Sequence, residues 1–243
     1  RYLLGALDGF GEEERLPVAE MPELERYMLA LTAELDARLR KAVNDYDFND
    51  YVRALTDFCN EDLSAFFFDI RKDSLYCDAP SDPKRGAYRT VVDILFHALV
   101  RWAAPVLVFT SEEVWGTRYP DADSVHLLEW PLIDTEWRED SALVARWKAL
   151  RTYRTLITLQ IEPLRRDKII GSSLEVEVTT ALVEEDASLL QELFISSSVR
   201  QVPNADGAVA KTTNHKCGRC WRHLPEVNED GDLCARCGEV VNG

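Results

Sequence analysis

Met21-Pro-Glu-Leu-Glu-Arg-Tyr-Met-Leu-Ala-Leu-Thr-Ala-Glu-Leu-Asp-Ala-Arg-Leu-Arg-Lys-Ala-Val-Asn44 is the stretch that sets the fold class. Pro22 suits the first turn of a helix, the acids Glu23 and Glu25 follow it, and Leu24, Met28, Leu31, Leu35, Leu39 and Ala42 recur every three to four residues. That spacing predicts a long amphipathic helix over 21–44. A second helix is expected from Asp47 to Lys72, with Phe48, Tyr51, Leu55, Phe58, Phe66 and Ile70 on one side. Asp62 interrupts its apolar stripe and reads as a buried hydrogen-bonding group, while Phe66-Phe67-Phe68 reads as core. Ala79-Pro-Ser-Asp-Pro83 stops any helix. A third helix is expected over 86–104 and should end at Pro105. Thr110-Ser-Glu-Glu113 has capping-box spacing and should open a short helix carrying Val114 and Trp115. Another begins near Ser141 and carries Leu143, Trp147, Leu150 and Arg154. Trp102, Trp115, Trp130 and Trp147 read as packing residues. Such segments make an antiparallel helical bundle the natural architecture.

The texture changes after this. Ser173-Leu-Glu-Val-Glu-Val-Thr-Thr180 alternates like a half-buried strand, residues 184–195 read as a helix, and Val199–Val202 as a second strand. The expected fold is therefore mainly α: a helical bundle over 1–140, a connecting helix with a small α/β unit over 141–203, a linker over 204–210, and a closing module over 211–243.

That module holds Cys217-Gly-Arg-Cys220 and Cys234-Ala-Arg-Cys237, two Cys-x-x-Cys pairs separated by 13 residues. Two such turns supply four thiolates to one tetrahedral ion, with Zn–S near ~2.3 Å. The segment is too short to bury a core, so metal binding, worth roughly 10–16 kcal/mol in small zinc peptides, would drive its folding. Two disulfides are the rival reading; a Cys-x-x-Cys disulfide is strained and nothing else suggests secretion. One structural zinc on Cys217, Cys220, Cys234 and Cys237 is expected, with no open position for a substrate. His223 is read as a surface residue, not a substitute ligand. Gly238, next to the second pair, suits a backbone that must turn back on itself. Cys59 and Cys77 lack metal spacing and are expected to be reduced, Cys59 as core filler, which suggests the cytosol.

The 243 residues carry a formal charge of −15, which argues against a generic nucleic-acid binder. The charge is uneven. Residues 1–80 have 9 Lys and Arg against 18 Asp and Glu, 141–175 have 7 against 3, and 211–243 have 5 against 5. A polyanion should therefore meet the C-terminal half, although acidic helices are usually just soluble faces. No apolar run reaches the roughly 18–20 residues a membrane span needs, and the start shows no signal-peptide pattern. The opening Arg1-Tyr-Leu-Leu-Gly5 looks like a piece of something longer.

Several stretches resemble the tRNA-binding region of bacterial isoleucyl-tRNA synthetases: Leu63 to Cys77, Ala104 to Trp115, Lys168-Ile-Ile-Gly-Ser-Ser-Leu-Glu175, and Lys216-Cys-Gly-Arg-Cys-Trp-Arg222 with Cys234-Ala-Arg-Cys237. The likeness runs in order along nearly the whole chain. Valine, leucine and methionine relatives share helices like 104–115, and the zinc peptide is what selects isoleucine. The resemblance implies a parent with catalytic and editing domains that attaches isoleucine to its tRNA using ATP. It also implies a cytoplasmic monomer whose tail, this chain, handles the tRNA. His-x-Gly-His and Lys-Met-Ser-Lys-Ser motifs are absent, and His97, His126, His215 and His223 start no such motif, so the chain alone is expected to be catalytically inactive.

Under this reading the RNA-binding candidates fall in two groups. Arg151, Arg154, Arg165, Arg166 and Lys168, together with Lys148, form the chain's dense basic run; they are either a solvated face or, as favoured here, phosphate contacts. Lys216, Arg219, Arg222 and Arg236 surround the cysteine turns and either offset thiolate charge or reach phosphates. Trp221 either fills a small core under the metal or stacks on an unpaired anticodon base. The competing functional class is a zinc-containing, non-enzymatic protein-binding adaptor, and the tail of a valine- or leucine-type synthetase is a third reading. No catalytic set of residues can be defended.

Overall fold

The computed structural model describes residues 1–243, which divide into two units: residues 1–71 with 80–145, and residues 72–79 with 146–243. In the first, α1 (Tyr2–Ala6) leads through two single 3-10 turns to α2 (Glu23–Asn44). α2 starts just after Pro22 and buries Leu24, Met28, Leu35, Leu39 and Ala42, along with Leu29, Ala30 and Ala33. A tight turn follows, with Tyr46 at φ +58°. Asp47 then caps α3 (Phe48–Asp57) by accepting from the Asp50 N–H at 3.0 Å.

The single helix expected over 47–72 is observed as three segments. Between α3 and α4 (Asp69–Cys77), residues Phe58–Phe68 form a π-helical stretch. The reason lies in the apolar spacing. Phe58, Leu63 and Phe67 are all buried, and residues about five apart share a face only in the wider i→i+5 coil. Phe66 joins them in the core, while Asp62 is only half-buried and Phe48 is exposed. Cys59, expected as core filler, is also only half-buried.

Pro83 opens α5 (Pro83–Ala103) at the position where its missing N–H costs nothing. Its central turns bury Tyr88, Val91, Val92, Leu95, Phe96 and Trp102. The capping box expected at Thr110 does not form. α6 (Val108–Arg118) is already entered at Leu107, whose carbonyl accepts from the Ser111 N–H at 2.8 Å. Thr110 therefore sits inside the first turn. Two buried charges organise this unit. Asp93 lies between Arg15, 2.7 Å away, and Arg118, and Glu25 faces Arg71.

In the second unit, α7 (Ser141–Arg166), which begins in the first, leads to a capped single turn at Ser173–Glu175 and then β1 (Val176–Thr180). β1 alternates as the sequence suggests, with Val176, Val178 and Thr180 buried. α8 (Ala187–Phe194) connects it to β2 (Ser198–Gln201), which pairs in parallel with Val178 opposite Val199. The stretch read as a linker is partly a strand. β3 (Ala208–Lys211) pairs antiparallel on the other side of β1, with Val178 opposite Val209, giving the order β2-β1-β3. Its small residues suit an edge strand whose outer face is exposed. The closing module contains the short pair β4 (His215–Lys216) and β5 (His223–Leu224), then α9 (Ala235–Asn242). No helix is long and apolar enough to cross a membrane.

Candidate metal centre and nucleic-acid surface

The four cysteines are all buried, and their Sγ atoms lie within 4.8 Å of one another. A tetrahedral ion with ~2.3 Å bonds to sulfur sets neighbouring sulfurs ~3.8 Å apart, and Cys220 Sγ lies 3.8 Å from Cys234 Sγ. The donor set fits zinc on chemical grounds as well as on distance. The Cys234 N–H donates to Cys217 Sγ at 3.3 Å, as it would to a thiolate. Burial raises the Cys217 thiol, yet N–H donors from Cys234, Arg219 and Cys220 outweigh it and bring the group to about 6. Burial pushes Cys220 up to about 12. Only a cation among these sulfurs makes a full set of thiolates affordable, because a coordinating thiol is deprotonated outright. The site holds a structural zinc, closed by four protein ligands.

The backbone around the site explains why these turns form. The Trp221 N–H donates to the Cys217 carbonyl at 3.1 Å, and the Cys217 N–H to the Arg222 carbonyl at 2.9 Å. Gly218 and Gly231 cross closely: the Gly218 N–H reaches the Asp232 carbonyl at 3.0 Å, and the Gly231 N–H reaches the Lys216 carbonyl at 2.9 Å. A Cβ on Gly218 would strike the Gly231 carbonyl, and Gly231 itself has φ +104°. These are the glycines on which the module depends. Gly238, expected to serve a reversal, lies inside α9 without a left-handed conformation, because the chain enters a helix directly after Cys234. His223 is turned to the Asn214 carbonyl, 2.9 Å from Nδ1, and is not among the ligands.

A fifth cysteine joins this cluster without any metal spacing to announce it. Cys77, at the end of α4, is buried against the four ligands and Val227. Burial and the neighbouring Asp73 push its thiol up to about 12, so it packs there as a neutral group.

The candidate basic residues separate into distinct settings. Arg236 is forked onto Asp73 and also reaches Asp78, Arg222 approaches Asp73, and Arg219 reaches main-chain carbonyls of Tyr76 and Cys77. Arg219 also lies 3.7 Å from Cys237 Sγ, close enough to offset thiolate charge. Lys216 and Trp221 differ from these. Trp221 is 61% exposed, so it does not fill a core under the metal, and the Lys216 ammonium lies 5.4 Å from its ring centroid. Trp221 also has φ +64°, a conformation that costs a bulky residue roughly 1–2 kcal/mol. On α7, Arg151 and Arg154 are half-buried, while Lys148 is exposed. Arg165 and Arg166 are exposed and pair locally with Glu162 and Asp167. Lys168, at φ +58°, closes the helix.

A family model described as "Anticodon-binding domain of tRNA ligase" matches residues 25–180, and one described as "Zinc finger found in FPG and IleRS" matches residues 214–240. Curated relatives include isoleucine–tRNA ligases from Zymomonas mobilis, 56% identical over 99% of this chain, and from Gluconobacter oxydans, 46% identical over 100%. A third, from Agrobacterium fabrum, is 44% identical over 95% of the chain. The chain spans about a quarter of the length of these relatives, 27%, 27% and 26% respectively.

Proposed function

The chain belongs to the family of anticodon-binding domains of tRNA ligases, and from that premise we propose that it holds the tRNA for isoleucine by its anticodon stem-loop. Isoleucine attachment with ATP is carried out by catalytic and editing domains outside these residues, in a monomeric cytoplasmic parent. The zinc fixes the shape of the closing module and does no chemistry. The observation that carries the reading is Trp221, a large aromatic held in a strained conformation and left in solvent beside Lys216. Residues held in such conformations cluster at binding and active sites. Base–aromatic stacking, worth ~1–3 kcal/mol per base, is a use that suits an exposed indole. Splayed anticodon bases offer such faces, whereas paired RNA hides them. Lys216, with the basic residues of α7, supplies charge for phosphates on a protein that is otherwise acidic.

The test is a titration of labelled tRNA for isoleucine, against the same tRNA with a swapped anticodon, into zinc-loaded and chelated protein. Anticodon-selective binding that disappears with the metal is expected. Selective binding that survives chelation would move recognition to the helical unit. Absence of binding in both states would favour the adaptor reading.

A further inference from the structure

Three arginines of the zinc module converge on one short stretch, residues 72–79 at the end of α4. Arg236 places Nη1 2.8 Å from Asp73 Oδ2 and 2.9 Å from Asp78 Oδ1, and Nη2 3.0 Å from Asp73 Oδ1. Arg222 Nη2 stands 3.5 Å from the same Asp73 oxygen. Arg219 donates to the Cys77 carbonyl at 2.5 Å and to the Tyr76 carbonyl at 3.2 Å. Those carbonyls belong to the last turn of a helix, where acceptors lack intrahelical partners and a cation is favoured.

This arrangement assigns the arginines' donors. A guanidinium whose fork is filled by one carboxylate does not also offer that fork to a phosphate. The side chains of Asp73 and Asp78 are 21% and 8% exposed, so the pairs are shielded from the screening that weakens surface ion pairs. The attachment also reaches the exposed aromatic. Arg222 follows Trp221 directly, and Arg219 precedes it by two residues in the same metal-bound turn. Fixing both arginines on 72–79 fixes the direction in which the left-handed residue between them projects its ring.

We infer that Asp73, together with Arg236, is a positioning site: it orients the zinc module so that Trp221 and Lys216 face the RNA, and it touches no RNA itself. This rests on the function proposed above.

The zinc-loaded 243-residue chain carries the test, with a tRNA transcript for isoleucine as the probe across a series of salt concentrations. Asp73→Asn and Arg236→Ala are each expected to weaken binding about tenfold. The double variant should be no weaker than either single one, because both remove one interaction. Zinc content should remain one per chain. The slope of log affinity against log salt should not change, since no phosphate contact has been lost. Asp73→Glu, which restores a carboxylate, should recover part of the affinity, and the fluorine resonance of 5-fluorotryptophan at Trp221 should shift in the weakened variants only. If Arg236→Ala weakens binding and lowers the slope by about one while Asp73→Asn does nothing, Arg236 is a phosphate contact and the inference is overturned. Unchanged affinity in both single variants overturns it as well. Should Asp73→Asn shed zinc, Asp78→Asn, which removes one prong, is judged by the same criteria. Trp221→Ala and Lys216→Ala separate the two levels of the argument. If those leave affinity intact, the functional reading fails; if they weaken it and Asp73→Asn does not, only the positioning role fails.

Discussion

Arg71 and Glu25 meet through a two-pronged ion pair, Nε to Oε1 at 2.6 Å and Nη2 to Oε2 at 2.8 Å, with side chains only 3% and 0% exposed. Both charges have left water, so the attraction between them is offset by their desolvation, and the pair matters most when one partner is lost. Arg71→Met alone should destabilise the chain by about 3–5 kcal/mol by stranding Glu25. Arg71→Met with Glu25→Leu should recover most of that loss. Urea unfolding followed by circular dichroism measures both; a double variant as unstable as the single one would contradict this account.

Acid should unfold the first unit in two steps. Burial lowers the His97 imidazole below its ordinary value of 6.5, and Asp93 only partly opposes it. The unfolded state therefore gains protons first as pH falls below about 6.5, and stability declines from there. Burial raises the Asp93 carboxyl, but hydrogen bonds from Arg15 and Arg118 outweigh it and hold the group below 3.8. Its contribution is present above that value and is lost as pH drops through the folded one. His97→Gln should remove the upper step in a plot of unfolding midpoint against pH, and Asp93→Asn should shrink the lower, the remainder coming from carboxylates such as Asp50, which the Arg38 hydrogen bond also holds below its ordinary value.

Metal removal should act locally. Chelation is expected to release the backbone amides of residues 215–242 to rapid hydrogen exchange, while amides of α2 and α5 stay protected and the helical signal falls only slightly. Cys217→Ser should bind less than one zinc per chain. Protection that persists over β4, β5 and α9 after chelation would mean that the module folds without its ion, against the energetics of small zinc domains.

Trp221→Gly should separate stability from binding. Glycine accepts a positive φ without steric cost, so the variant should retain zinc and unfold at the same or a higher denaturant concentration. Its affinity for the tRNA should fall by about 1–3 kcal/mol through the lost stack. A variant that binds tRNA as well as the parent would remove Trp221 from the surface.

Gly218→Ala should show the opposite pattern. Its new methyl would meet the Gly231 carbonyl, forcing the two turns apart and weakening zinc retention. Competition with a chromogenic chelator measures this, and an unchanged rate of metal transfer would refute the packing argument.

What could be read from the sequence follows from how local each signal is. The ligands Cys217, Cys220, Cys234 and Cys237 were legible because metal spacing is written within 21 residues. α2 was legible because Leu24 to Ala42 keep one period for its whole length. The π-helical stretch was not, since a reading at 3.6 residues per turn spreads Phe58, Leu63 and Phe67 over different faces. β3 was missed because Ala208-Val-Ala-Lys211 has little strand character of its own and is drawn into the sheet by β1. The partners of Arg236 were out of reach for another reason. Asp73 and Asp78 stand 163 and 158 residues earlier, and nothing in the charge pattern of either segment names the other. Nor does composition reveal that Trp221 takes a left-handed conformation and faces water.

That last feature has a practical corollary in the genetic code. Tryptophan is read from UGG, and one change at the first base gives GGG, glycine. A campaign that mutagenises this chain and keeps the clones surviving heat reaches that substitution in one step and has no stability ground for rejecting it. On the role proposed for Trp221, a library improved this way would lose its stacking face for RNA while folding assays reported no loss, so screening here has to score RNA retention alongside solubility.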